Sequence, residues 1–328
     1  MATRVFSSRQ AAQVELYRKQ TASGSVPRFT CSVGIMAYNE ESNIAHTLLA
    51  VLTQQQYSFS INEIIVVASG CTDQTVPIVT AMARRDRRIR LYTQQYREGK
   101  ASAINLFLQQ ATGEILILLG ADVIPEPMAF EQLCAAFKNP YIGMTGGRPV
   151  PINSKDTFMG HAVHLLWYLH DRLARQEPKL GEAIAFRNVI TAIPAKSAVD
   201  EISIQAFISQ LGYQLHYQPA CIVRNKGPLT IQDFLQQRRR IYAGHLQVQA
   251  SQGYAASTLK VGPILWQILA CHAITMRTPR QLIWTLGAIL LEGYARLQGY
   301  YDYRRKKDQH IWQMISSTKN LHADRLTR

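Results

Sequence analysis

The sequence predicts an α/β fold, a mainly parallel sheet with helices on both faces. Three observations predict it. Short apolar runs alternate with helical patterns through the first 125 residues, which specifies βαβ units. The most apolar run, Ile115 to Gly120, follows a Thr112-Gly113 turn. It is too short for a membrane span and reads as a strand buried on both faces. Each run also ends in a polar cluster, and in open parallel sheets ligands bind in the crevice outside the strands' C-terminal ends.

Phe29 to Met36 reads as the first strand, followed by Tyr38-Asn39-Glu40-Glu41 and a helical pattern from Ser42 to Gln55. Glu63 to Val67 is the second strand; Ala68-Ser69-Gly70-Cys71-Thr72-Asp73 follows, then a helix over Val76 to Arg85. Ile89 to Thr93 is the third strand, leading through Arg97-Glu98-Gly99-Lys100 into a helix ending near Gln110. The fourth strand ends in Asp122. Further on, Met144 to Pro149 allows close backbone approach with the Arg148 guanidinium at hand. Asp156 to Arg175 reads as a helix, Gly181 to Arg187 as a pocket-lining strand, and Asp200-Glu201 opens a helix closed by Gly212. Short strands over Leu215–Tyr217 and Ile222–Val223 precede a helix from Thr230 to Val248.

Connection rules place Tyr38–Glu41, Ser69–Asp73, Gly99-Lys100 and Asp122 on one sheet edge. Gly99-Lys100 opens a helix, whose N-terminal amides favour an anion such as a diphosphate. It is no Walker A loop: Gln94 stands where that loop needs Gly, and Ala101 where it needs Ser or Thr. No GxGxxG follows a strand, which argues against a dinucleotide oxidoreductase. Asp122 reads either as a turn residue or as the holder of a phosphate-bound metal. The acids Asp200 and Glu201 suit a helix start and also suit a general base. Of Arg238, Arg239 and Arg240, helical geometry lets one or two face a common ligand, with a solvated basic helix as the alternative. His161, His164 and His170 share their helix with Leu165, Leu166, Trp167 and Leu169, so packing is expected there rather than metal.

Together these residues resemble the family 2 glycosyltransferases, inverting enzymes of the GT-A fold, over roughly Arg28 to His245. Tyr38-Asn39-Glu40 is similar to the family's Tyr-Asn-Glu, and Ser69–Asp73 to its Asp-Gly-Ser-Thr-Asp-like turn. Gly99-Lys100 with Asn105 is similar to GK-x-x-A-x-N, Gly120–Asp122 to DxD, Asp200-Glu201 to the Glu-Asp pair, and Gln237–Ile241 to QxxRW. The departures are Ser69 for an acid, Gly120 for the first Asp of DxD, the swapped acidic pair, and Ile241 for Trp. They recur in a subgroup tied to membrane-linked polysaccharide or glycolipid synthesis.

The resemblance implies transfer of a sugar from a nucleotide sugar to a polysaccharide, glycolipid or lipid-linked glycan. Glu201 is the expected base, with Asp200 second. Tyr38, Asn39, Glu40, Ser69, Lys100, Arg148, Gln237 and Arg240 are expected to bind the nucleotide sugar, and Asp122 to hold Mg2+ or Mn2+. The rivals are a sugar nucleotidyltransferase, which needs a glycine-rich loop where Cys31–Tyr38 has only Gly34, and a non-catalytic relative, which Gly120 favours.

The formal net charge of +14 favours a polyanion: nucleotide phosphates, an acidic membrane surface or nucleic acid. No nucleic-acid motif accompanies Arg84–Arg88, so no nucleic-acid partner is expected. The five cysteines contain no CxxC pair, which excludes a structural zinc site of that kind and fits a reducing compartment. Residues 261–276 and 282–291 are apolar but shorter than the roughly 20 residues a span needs. Arg277 and Arg280 lie between them, and Arg304 to Lys307 follow. Two interfacial helices on the cytoplasmic side of a membrane are expected, anchored by Trp266, Trp284 and basic residues drawn to anionic lipid, with a re-entrant or tilted spanning pair and a buried pair packed on the catalytic domain as the alternatives. The expected organisation is an extension over 1–28, a catalytic domain over 29–253 including the QxxR helix, membrane-associated helices over 254–303, and a basic tail over 304–328.

Overall fold

The computed structural model describes residues 28–195, 197–259 and 278–307, with positions 262, 264, 266, 267, 318 and 319. The expected extension and most of 261–276 lie outside these. Four βαβ-linked strands come first: β1 (Phe29–Ala37), β2 (Phe59–Ser69), β3 (Ile89–Gln94) and β4 (Ile115–Gly120). They are joined by α1 (Ile44–Leu52), α2 (Thr75–Ala83) and α3 (Lys100–Gln110). Then follow β5 (Ile124–Pro125), α4 (Ala129–Ala135), β6 (Ile142–Pro151), α5 (Phe158–Ala174), β7 (Ala183–Arg187), α6 (Asp200–Gln210), β8 (Gln214–Asn225), α7 (Ile231–Gln252) and α8 (Pro279–Arg304).

The strands form one sheet in the order β3-β2-β1-β4-β7-β6-β8-β5. Pairing is parallel from β3 to β4, antiparallel around β7, parallel between β6 and β8, and antiparallel at β5. β4 lies between β1 and β7, and its apolar run serves two cores at once. Ile115, Ile117 and Leu119 face the layer of α1, α2 and α4, whereas Leu116 and Leu118 face α3 and α6. The period-2 alternation of a strand sends neighbours to opposite faces, so a strand covered on both must be apolar throughout.

Sequence reasoning misses β5, α4 and β6. The glycines of β6 disguise it as a loop, yet they are needed for packing: a Cβ on Gly146 would lie 2.6 Å from Leu180 Cβ, and one on Gly147 would lie 2.6 Å from Cys221 Sγ. The two short runs expected after Gly212 are one strand, β8. β2 begins at Phe59, four residues before the expected start. Its Glu63 breaks the apolar pattern, but the carboxylate accepts from Ser32 Oγ at 2.6 Å, Thr112 N at 2.7 Å and Arg90 Nη1 at 2.7 Å.

α7 and α8 pack against each other through charge. Arg238 donates to Glu292 at 2.8 and 3.0 Å, Arg296 Nε donates to the same carboxylate at 2.8 Å, and Arg239 grips the buried Asp302. The three arginines of α7 thus point three ways, and a solvated basic helix is not what forms. Burial alone would raise the Glu292 carboxyl; Arg238 and Arg296 outweigh it and hold it at about 2. A carboxyl depressed from 4.5 to about 2 stabilises the fold at pH above its unfolded value and loses that contribution as pH falls through the folded one. At about 1.4 kcal/mol per tenfold change in proton affinity, this amounts to about 3 kcal/mol. Glu292→Gln is therefore expected to lower the unfolding free energy at pH 7. It should also flatten the decline between about pH 5 and pH 2, read from denaturant titrations at each pH; an unchanged acid slope would remove Glu292 from the account.

Candidate active site

The four polar clusters do converge on one edge. A cavity of about 190 Å³ is lined by Tyr38, Glu40, Ser69, Gly99, Lys100 and Asp122 from the strand ends and by Gln237 and Arg240 from α7. Arg97 and Lys319 also line it, and sequence reasoning assigned neither to the site.

The loops after β1 and β2 hold each other. Asn39, at φ 50, accepts from Thr72 N at 2.8 Å and donates to Thr72 Oγ1 at 3.2 Å. Glu40 N donates to Thr75 Oγ1 at 2.7 Å, and Glu41 N to Asp73 at 3.0 Å. Asn39 therefore sits beneath the cavity as a clamp, with both ends of its amide engaged. The Arg97 guanidinium lies over the Tyr38 ring, 3.8 Å from its centroid. Ser69 Oγ accepts from Glu98 N at 3.2 Å, fixing the loop that leads to Gly99. Gly99 has φ 91, a conformation costly for any residue with a Cβ, and it starts α3 so that Lys100 emerges at the first turn.

Lys100 pairs with Glu201, joining α3 to the start of α6 across the site. Asn105 prepares that meeting: its amide donates to Ile193 O at 3.0 Å and accepts from Ile193 N at 2.8 Å, pinning the segment that leads into α6. Burial works against the Lys100 ammonium, yet Glu201 and Asp200 hold it above its ordinary range. Burial would raise Glu201; the Lys100 charge and hydrogen bond instead hold it below the usual carboxylate range. Asp200 is 0% exposed and meets no side-chain donor, and burial pushes it up to about 7. Glu201 lines a second, adjoining cavity of about 510 Å³, whereas Asp200 lines neither. Arg240 is drawn down to about 10 by burial, with Asp200 and Glu201 opposing.

Two further carboxylates crowd Asp122. Glu40, 5% exposed, is pushed to about 7 by burial and by Asp122, against the pull of Lys319. Glu182, at φ 62 just before β7, is pushed to about 7 by burial, Asp122 and Glu201. Lys319 reaches back from the far end of the chain, donating to Tyr38 O at 3.0 Å and to the Glu40 carboxylate, while its own carbonyl accepts from Asn43. Among the described residues no three His, Cys, Asp or Glu side chains form a ready metal cage. Gly120 explains the single carboxylate at the strand end, since a Cβ there would lie 2.6 Å from Asp122 Oδ1. Asp122 lines the cavity at the end of β4, where a single carboxylate would meet a hard divalent cation whose other oxygens come from a bound phosphate.

Arg148 is not brought to this group. Its Nε lies 3.7 Å from Asp171, in a cluster with Arg175 and Tyr217 on the α5 side, and it lines neither cavity. The histidines of α5 pack as expected: His161 meets Thr285 Oγ1 at 2.9 Å, His164 meets Asn153 O at 2.8 Å, and His170 lies between the Trp167 and Tyr217 rings.

A mixed sheet thus gathers acids and a helix-borne cation at one edge. The profile of glycosyl transferase family 2 matches residues 32–201. The chain is 24% identical over 257 residues to a poly-beta-1,6-N-acetyl-D-glucosamine synthase of Staphylococcus epidermidis, covering 74% of this chain and 61% of that protein. It is 25% identical over 244 residues to a synthase of the same name from Staphylococcus aureus, covering 70% and 58%. The chain thus spans about three-fifths of the length of these relatives. Its fold matches a mannosyltransferase from Pyrobaculum calidifontis solved with GDP-Man and Mn2+, at TM-score 0.59 and 21% identity over 90% of this chain and 96% of that one. The chain belongs to glycosyl transferase family 2, and its catalytic fold is that of a GT-A glycosyltransferase.

Replacing Asn39 by Ala should cost about 1–2 kcal/mol by unlinking the first two loops. The measurement is thermal unfolding, and an unchanged midpoint would show that Thr72 needs no such clamp.

Proposed function

We propose that the chain transfers a sugar from a nucleoside diphosphate sugar to a hydroxyl acceptor, with inversion at the anomeric carbon. The observation that carries this is the opposition of Lys100, at a helix N-terminus, to Glu201, with Asp122 between two further acids. The nucleotide lies along Tyr38, Glu40 and Ser69, and its diphosphate meets Lys100, Gln237 and Arg240. Asp122 would hold a divalent cation, Mg2+ or Mn2+, which would supply Lewis-acid neutralisation of the leaving diphosphate. Lys100 and Arg240 supply preorganised positive charge without reorganisation. Glu201 takes the proton of the attacking hydroxyl. Its pairing with Lys100 keeps it ionised, and the approach of the diphosphate to Lys100 weakens that hold and makes the carboxylate a stronger base.

α8 carries the reading of where this happens. Its inner face is charged, while Ile283 (67% exposed), Leu286 (54%) and Leu290 (74%) form an outer apolar stripe that Leu297 and Tyr301 continue. Arg280 stands at one end of the helix and Arg304 to Lys307 at the other, all exposed. Among the described residues no helix is long and apolar enough to cross a membrane. A helix of this pattern lies in the interfacial plane of an anionic membrane, on the cytoplasmic side.

Glu201→Gln should reduce transfer by about 10²–10⁴-fold while nucleotide binding by calorimetry is kept. Transfer at the parent rate would pass the base role to Asp200. Panels of UDP-, GDP- and dTDP-sugars, with and without Mn2+, identify the donor and the metal requirement. Leu286→Glu combined with Leu290→Glu should abolish sedimentation with phosphatidylserine vesicles, and added salt should weaken the binding of the parent protein. Binding unaffected by both would reject α8 as the anchor.

A further inference from the structure

Beyond Glu201 the donor cavity opens into a second chamber of about 510 Å³, which shares Lys100, Asp122, Gln237 and Arg240 with it. Much of its wall is apolar, with Leu165 and Leu169 of α5, Phe234 and Ile241 of α7, and Ala288 and Ile289 of α8, while Glu292 and Arg238 in the lining are paired with each other. Sugar hydroxyls placed against such walls would leave water without finding partners, at a cost of about 1–3 kcal/mol each. A hydrocarbon chain suffers no such loss and gains from burial. Its lining includes Gly293, which is exposed and, among the described residues, has nothing within 4 Å of the position a Cβ would take. Exposed Leu290, Tyr294 and Leu297 flank Gly293 along α8, on the helix face that the proposed bilayer contact uses.

Toward the reacting centre the chamber changes character. Lys179 lines it near Glu201, Glu182 and Arg238, and its ammonium makes no hydrogen bond or ion pair among the described residues. Arg238 and Arg296, two further cations of the chamber, are committed to Glu292. The Lys179 ammonium, which meets no acceptor among the described residues, marks the place of an incoming anion between the apolar walls and the candidate base.

We propose that the acceptor is a lipid phosphate, its aliphatic chain in this chamber, its phosphate against Lys179 and its nucleophilic oxygen beside Glu201. This rests on the glycosyltransferase reading above and adds the acceptor class to it. In the transfer, an oxygen of the acceptor head forms the new bond to the anomeric carbon. The bond from that carbon to the donor's β-phosphate oxygen breaks, and its electron pair leaves on the nucleoside diphosphate. Where the attacking oxygen carries a proton, Glu201 receives it. The chain enters past Gly293 from the membrane on which α8 lies, so the lipid need not leave an apolar medium.

The test is binding of radiolabelled farnesyl phosphate to the full chain, kept below the micelle concentration of its detergent, with nucleotide binding measured in parallel. Farnesyl phosphate is expected to bind at least tenfold more tightly than farnesol or inorganic phosphate. Gly293→Trp, which has open space for its ring, should weaken farnesyl phosphate binding at least tenfold. Lys179→Met should weaken it similarly and Lys179→Arg should restore it. Equal binding of farnesol and farnesyl phosphate would overturn the phosphate role of Lys179. Farnesyl phosphate binding indifferent to Gly293→Trp, or a soluble oligosaccharide bound as well as the lipid, would overturn the chamber. Farnesyl phosphate bound as expected without binding of any nucleotide would leave the chamber standing and sink the donor reading alone.

Discussion

The ion pair between Lys100 and Glu201 is the constraint on which the site depends. Asp122, Glu40, Glu182, Asp200 and Glu201 stand at one sheet edge, several of them deeply buried. Carboxylates so placed either lose their charge or find cations. Glu201 finds Lys100 and stays ionised, whereas burial and like-charge neighbours lift Glu40, Glu182 and Asp200 to about 7. One helix start delivers a fixed positive charge and another delivers the acid that meets it, with Asn105 holding the two segments in register. The fold thus treats chemically similar groups differently, keeping Glu201 ionised while burial raises its neighbours.

Much of this was legible in sequence because strands and helix starts carry local signals. An apolar strand ending in Asp122, a glycine before Lys100 and an acidic pair at a helix start each declare their position. Glu182 lies in the run read as a pocket-lining strand but has no motif of its own, and Lys179 carries no signal; both precede β7, and their approach to the site depends on β7 running antiparallel beside β4. β6 was concealed by the glycines that close packing demands. Arg148 was expected at the site from local composition, and the alternation of its strand turned it toward Asp171 instead. Asn39 was read as a ligand-binding residue from its place after β1, and its side chain serves the backbone of the neighbouring loop.

α8 inverts the usual arrangement in which a helix hides its apolar face. Its charges lie against α7, and Gly299 allows the two backbones to approach, since a Cβ there would lie 2.5 Å from Arg239 O. Ion pairs withdrawn from water need close geometry to offset their desolvation, and Arg238 with two contacts to Glu292 supplies it. The outward apolar face is then left to whatever medium surrounds the protein. Site and helix are linked directly, because consecutive residues of α7 serve both: Arg240 lines the cavity at the strand ends while Arg238 and Arg239 hold α8.

The contact of Lys319 with Glu40 has a consequence for biosynthesis. The two residues are 279 positions apart. The N-terminal strands that carry Glu40 and Asp122 are synthesised before residue 319. Until Lys319 docks, Glu40 lacks the ammonium that opposes its rise in pKa, and its carboxyl holds its proton more tightly than in the assembled site.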